Sequence, residues 1–269
     1  MHPAAQPIRP NFGLCTAALA TVMLFTGATA AAGNYVDTRQ LRADAAGLSR
    51  AVIDVGAGSL DIRGDDAARE VRVTATVWME DAPEDAERVR ELIDRHVELR
   101  LEAEGEVLRL TTSTRDPGRG YSLPHVDLEV VLPASLDLDI EDRSGWIEVV
   151  HMAGDVKIED DSGSIRVDDI GGRVAIDDDS GSIEVTGVAG SVGIEDESGS
   201  IVVQQVEGDV AIDDQSGSIT VRDVGGSVTL RDGSGSILVT GVGQDLHVLE
   251  AGSGSETFID VAGDITVDD

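Results

Sequence analysis

From Asp137 onward, apolar and polar positions recur with a period of 18. Ser-Gly pairs stand at Ser144-Gly145, Ser162-Gly163, Ser180-Gly181, Ser198-Gly199, Ser216-Gly217 and Ser234-Gly235. The next pair, Ser253-Gly254, follows after 19 residues, so one residue is inserted near Ala251. In the representative unit Asp209 to Gly226, apolar residues fall at unit positions 2, 4, 11, 13 and 16: Val210, Ile212, Ile219, Val221 and Val224. Positions 2 and 4 alternate, as do 11 and 13, which is the strand period of two. A shift of nine maps one half of the unit onto the other, each half being a short strand ended by glycine. β-Branched residues dominate the inward positions, as strands favour.

Glycines recur too often for a long helix. Identical units at a fixed period most simply stack coil on coil, each strand pairing in parallel with its copy one turn on. A single coil buries only about five aliphatic side chains, too few to offset the ordering of 18 residues, so the stack must be cooperative. The pattern therefore predicts an all-β chain, with 137–269 a β-solenoid of 18-residue coils.

The first half carries the pattern more faintly. Gly58-Ser-Leu-Asp-Ile62 matches the Gly-Ser-Ile-x-Val core of the unit. Val71, Val73, Ala75 and Val77 share one face of a strand between Glu70 and Trp78. Pro83 opens a helical segment with Glu84, Asp85 and Glu87 in its first turn, followed by Ala86, Val89, Leu92, Ile93 and His96 at helical spacing. A hairpin follows, Val97 to Leu101 and Val107 to Leu110, then a loop from Thr111 to Tyr121 and a strand from Val126 to Leu132. Residues 33–136 thus read as an irregular β start of the same solenoid, with one helix as cover or cap.

Residues 1–32 read as a secretory signal peptide. Arg9 supplies the positive start, an apolar stretch runs from Leu14 to Ala28, and Ala-x-Ala sites end at Ala30 or Ala32. The stretch is short for a membrane span, which needs about 20 apolar residues. The one cysteine, Cys15, leaves with the leader, so no disulfide or cysteine zinc site is expected in the mature chain. The expected location is the periplasm or the extracellular space.

Charge narrows the function classes. Lys+Arg number 20 and Asp+Glu 52, a net charge of -32. Such a surface repels phosphate, which excludes nucleic acid as a partner and argues against docking on anionic lipid. Position 6 of the unit is acidic throughout: Asp142, Asp160, Asp178, Asp196, Asp214 and Asp232. Positions 5 and 7 add Glu141, Glu159, Asp161, Asp177, Asp179, Glu195, Glu197 and Asp213. Stacking would turn these into acidic ladders along one edge. Carboxylates about 4.8 Å apart repel by about 1 kcal/mol in water and about 3–4 kcal/mol at an effective dielectric of 20. Calcium bridging the six position-6 aspartates is one way to offset that. Asx-turns on the Ser-Gly-Ser amides, with the remaining acids in water, are the other. The Gly-Gly-x-Gly-x-Asp run of calcium β-rolls is absent.

Catalytic signals are weak. No Gly-x-Ser-x-Gly elbow occurs, and His96, His125, His151 and His247 are scattered. Two carboxylates could flank a glycoside, but Asp recurs in every coil, so no pair is singled out. No cofactor is expected. Trp146 replaces the small residue of later coils and is expected to cover the repeat start, with an exposed recognition aromatic as the alternative.

The series Ser-Gly-Ser-Ile-x-Val, the segment Gly58-Ser-Leu-Asp-Ile62 and the strand Val126-Asp-Leu-Glu-Val-Val-Leu-Pro133 together resemble a bacterial envelope family of β-strand-repeat proteins labelled "putative adhesins". The resemblance runs from about Ala51 to Val267. It implies an exported β-solenoid and an adhesin label, and no catalytic site. The function expected is non-catalytic, adhesin-like binding to an envelope or cell-surface partner through an acidic surface. An envelope scaffold or sensor without adhesion, and a carbohydrate-active enzyme, are the alternatives. N-terminal sequencing of the exported protein should find Ala31 or Gly33 first; a mature form that keeps Met1 in export-competent cells overturns the leader.

Overall fold

The computed structural model describes residues 21–23, 34–80, 85–118 and 121–268. It is a two-sided β-solenoid of about seven coils, with one helix among the described residues. Each regular coil gives a short strand such as Val156–Asp160 to one sheet and a longer one such as Gly163–Ile170 to the other. Among the described residues the sheets have 11 and 12 strands, and successive coils pair in parallel.

Alternation along each strand builds the core. Ile158, Ile176, Ile194, Ile212 and Leu230 pair in direct register and form one internal column, none more than 3% exposed. Facing it, Ile165, Ile183, Ile201, Ile219 and Ile237 form a second column, with the valines two residues on forming a third. Because the period is 18 and the register is unshifted, each side chain rests on its own counterpart one coil away.

The corner glycines hold that register. Gly145, Gly163, Gly181, Gly199, Gly217 and Gly235 have φ between 142° and 157°. A Cβ at any of them would fall 1.5–1.9 Å from the carbonyl oxygen of the corresponding glycine in the coil below. Only glycine permits both that backbone angle and that approach. A second corner lies near the end of each long strand, where His151, Asp169, Gly187, Gln205, Asp223 and Gly241 all adopt φ of 55–75°. This left-handed column is open to non-glycine residues, with aspartate well suited to it.

The chain order and the stacking order differ at the start. Gly58 pairs with Gly145, Leu60 with Ile147 and Ile62 with Val149, so the faint copy forms a coil in register with the main repeat. Its strands Arg50–Asp54 and Ala57–Asp65 lie between the coil at 137–152 and a further pair of strands, Val107–Thr114 and His125–Pro133. Parallel pairing ends there. Glu70–Glu80 and Asn34–Asp44 continue one sheet antiparallel, and Val97–Glu104 closes the other. The helix is Ala86–His96, capped by Asp85, whose carboxylate accepts the amides of Glu87 and Arg88. Val89 and Ile93 are fully buried. The strand Val107–Thr114 runs farther than the hairpin expected from sequence, which shortens the loop after it.

The inserted residue is a β-bulge. Leu230 pairs with Val248 but Arg231 with Glu250, which leaves Leu249 extra. The leader expected over 1–32 lies outside the described residues, except for Thr21–Met23, a short strand antiparallel to residues 40–42. Pro83 also lies outside them. Among the described residues no helix is long and apolar enough to cross a membrane.

Two glycines separate the corner constraint from general glycine effects. Gly199→Ala meets a carbonyl 1.7 Å from its new Cβ, while Gly193→Ala meets nothing within 4 Å and needs no left-handed φ. Thermal and urea melts should show Gly199→Ala destabilised by about 2 kcal/mol or more. Gly193→Ala should be neutral or stabilised by up to about 1 kcal/mol. Equal effects would remove the corner from its place in the fold.

Candidate functional site

The six position-6 aspartates are stacked, but they face inward rather than along an outer edge. Asp142, Asp160, Asp178, Asp196, Asp214 and Asp232 are each at most 5% exposed. They end the short strands, and the alternation that buries positions 2 and 4 buries position 6 as well. In each carboxylate Oδ1 accepts a turn amide: Arg143 for Asp142 at 2.8 Å, then Ser162, Ser180, Ser198, Ser216 and Ser234 at 3.0–3.3 Å. The five bonds to serine amides, each two residues on, are Asx-turns. Oδ2 is buried without a hydrogen-bond partner in all six.

Such burial favours the neutral acid. Desolvation pushes Asp178 up to about 7, with the neighbouring Asp160 and Asp196 charges adding to it and the Ser180 amide opposing. Asp142 and Asp214 are pushed to about 6, again chiefly by burial. Asp160, Asp196 and Asp232 are raised for the same first reason. The column is therefore a row of weak acids inside the protein. Among the described residues no three or more His, Cys, Asp or Glu are arranged to hold a metal ion.

Acids at positions 5 and 7 do face solvent. Glu141, Glu159, Asp177, Glu195 and Asp213 form one exposed row, and Asp161, Asp179 and Glu197 another. Near the first coils they surround an acidic recess of about 290 Å³ that includes Asp54, Glu141, Asp161 and Asp179. The first serine of each Ser-Gly-Ser is structural. The hydroxyls of Ser162, Ser180, Ser198 and Ser216 donate to carbonyls of the preceding coil at 3.3–3.4 Å.

The histidines do not assemble a reactive group. The His151 ring lies 2.6 Å from Asp169 and 3.5 Å from Asp66, and the hydrogen bond to Asp169 raises its pKa first, then that to Asp66. The His125 ring stacks on Trp78 at 6.3 Å. Among the described residues no histidine is hydrogen-bonded to a serine. Trp146 lies in register between Ser59 and Ser164 and is 44% exposed on the outer face, so it does not cover the repeat start.

Sequence reasoning passed over one concavity. Across the outer face of the short-strand sheet runs a groove of about 400 Å³. Its floor is position 3 of the unit, where Ala175, Gly193 and Ala211 are small. The signal was present as a run of small residues at an outward position.

The family model described as Toastrack DUF4097 matches residues 50–257. Among solved structures, the chain is similar to a putative cell adhesion protein from Clostridium sporogenes, at 11% identity and a TM-score of 0.34, covering 86% of this chain and 98% of that one. It is also similar to a putative adhesin from Bacteroides fragilis, at 10% identity and a TM-score of 0.41, covering 86% and 97%. No curated protein matches it.

The inward column fixes a pH dependence. In the unfolded chain these aspartates ionise near 3.8, whereas in the fold Asp142 and Asp214 hold their protons up to about 6 and Asp178 up to about 7, with Asp160, Asp196 and Asp232 raised in the same direction. Folding therefore takes up protons between those limits, so stability is greatest near pH 4 and falls as pH rises to about 7. Asp155, whose pKa is lowered by the Arg173 amide and guanidinium, works in the opposite sense from an exposed site. Urea melts from pH 4 to 8 should show this decline, and Asp178→Asn should flatten it. Stability that rises over that range overturns the assignment.

Proposed function

Because this chain belongs to the Toastrack DUF4097 family, we propose that it is an exported, non-catalytic, adhesin-like solenoid that binds an envelope or cell-surface partner through its acidic outer rows. The observation that supports this most directly is the division between inside and outside. Inward positions repeat almost without change, whereas outward ones carry rows of exposed carboxylates at the coil spacing of about 4.8 Å. Such a surface gives a partner many equivalent contacts, each weak and additive, along one axis. Its sign selects a cationic partner and speeds encounter at low salt. A catalytic role would need one carboxylate pair distinguished from the rest, and here the acids recur coil after coil.

Retention of the purified protein on immobilised envelope fractions tests the reading. Binding should be strong in 50 mM NaCl and fall at least tenfold by 500 mM, as exposed charges are screened. Absence of retention at low salt overturns it. Retention confined to inner-membrane or periplasmic fractions, with none on intact cells, replaces adhesion with a scaffold or sensor role.

A further inference from the structure

We propose that the groove on the short-strand sheet is the contact point for that partner, and that it receives a lysine or arginine side chain from an extended basic polypeptide. This rests on the acidic-surface reading above and makes it specific to one place. The groove crosses successive coils of the outer face. Ala175, Gly193 and Ala211 make a smooth apolar floor. A Cβ added at Gly193 would meet nothing within 4 Å, so the space directly above the backbone there is open.

Along one side runs the row Glu159, Asp177, Glu195 and Asp213. Its ends are already neutralised. Lys157 pairs with Glu159, and Arg231 pairs with Asp213 at 3.0 Å. Between them Asp177 and Glu195 make no ion pair among the described residues. They sit directly opposite each other on adjacent strands, about 4.8 Å apart in the ladder direction. Leu249, the bulged extra residue, is 43% exposed at the far end.

This combination has a definite complement. An alkyl stem fits the alanine–glycine floor, and its terminal cation can bridge two carboxylates on neighbouring coils. Lysine and arginine have that form, an apolar stem with a cationic head. The bounding ion pairs confine the free negative charge to the middle, so one inserted side chain is the natural occupant. From Lys157 to Arg231 the groove spans five strands, about 19 Å at 4.8 Å per step, which an extended backbone covers in about six residues. Flanking parts of the same segment could then reach the paired ends.

The probe is a fluorescein-labelled hexalysine peptide, with binding read by anisotropy in 100 mM NaCl. Gly193→Trp fills the groove without changing charge, and Asp177→Asn with Glu195→Gln removes the free carboxylates. Each should weaken binding at least tenfold. Glu207→Gln with Asp223→Asn removes the same charge outside the groove and should change affinity less than twofold. Circular dichroism checks each fold, and Ala211→Trp serves as the second filling variant should Gly193→Trp fail to fold. Equal weakening by both charge pairs means a diffuse field and overturns the groove. So does a filled groove that binds normally, or spermidine binding there while the peptide does not. Envelope retention that survives Gly193→Trp overturns only this inference; its absence in the unaltered protein overturns the broader reading.

Discussion

The fold depends on the approach of one coil's backbone to the next at the glycine corner. There the carbonyl of one glycine occupies the space that a Cβ would need in the glycine above it. That contact fixes the axial spacing and the in-plane position of each coil together. Once both are fixed, every side chain is superposed on its counterpart, and the core becomes a set of columns rather than a jigsaw. Isoleucine on isoleucine then packs equally well in each layer. A slip of one residue would turn the whole inward set to solvent, so the corner and the alternation enforce the same register.

The same register makes the aspartate column both necessary and costly. At the end of each short strand the chain must turn, and the turn amide needs an acceptor in a place water does not reach. Aspartate supplies it through Oδ1, one bond per coil. The second oxygen is then carried into the interior with nothing to bond. Stacking repeats that expense in six layers, and each charge would sit beside the next. Holding a proton relieves both burdens, which is why burial and neighbouring carboxylates shift these groups in the same direction. Val55 precedes the column's first member and Ala251 follows its last coil position, so the polar row ends in small apolar residues at both limits of the regular stack.

Much of this was legible in the chain. The period of 18, the inward columns, the match of Gly58 to Ile62 and a helical segment running to His96 all follow from spacing, though the helix begins at Ala86 with Asp85 as its cap rather than at Pro83. What escaped has physical reasons. Position 6 continues the alternation of positions 2 and 4, so its burial could be read from period alone. The expectation of an acidic residue at the surface outweighed the pattern. The insertion of the 50–65 coil between later segments has no local signal, because pairing order is set by which edges meet in space. The left-handed corner was hidden because four residue types serve it: histidine, aspartate, glycine and glutamine. The groove was hidden because small outward residues look like mere absence of constraint.

That last point bears on how such a protein diversifies. Inward positions are held by their neighbours in both directions, so a change in one coil disturbs two others. Outward positions carry no such load. Position 3 runs Lys157, Ala175, Gly193, Ala211, Thr229 and His247, six residues of five kinds, over columns that scarcely vary beneath. A rigid stack thus offers a surface whose relief can change residue by residue at almost no cost to folding. Specificity in this architecture is written in the departures from the repeat, and the binding surface is to be sought where an outward column breaks its own rule.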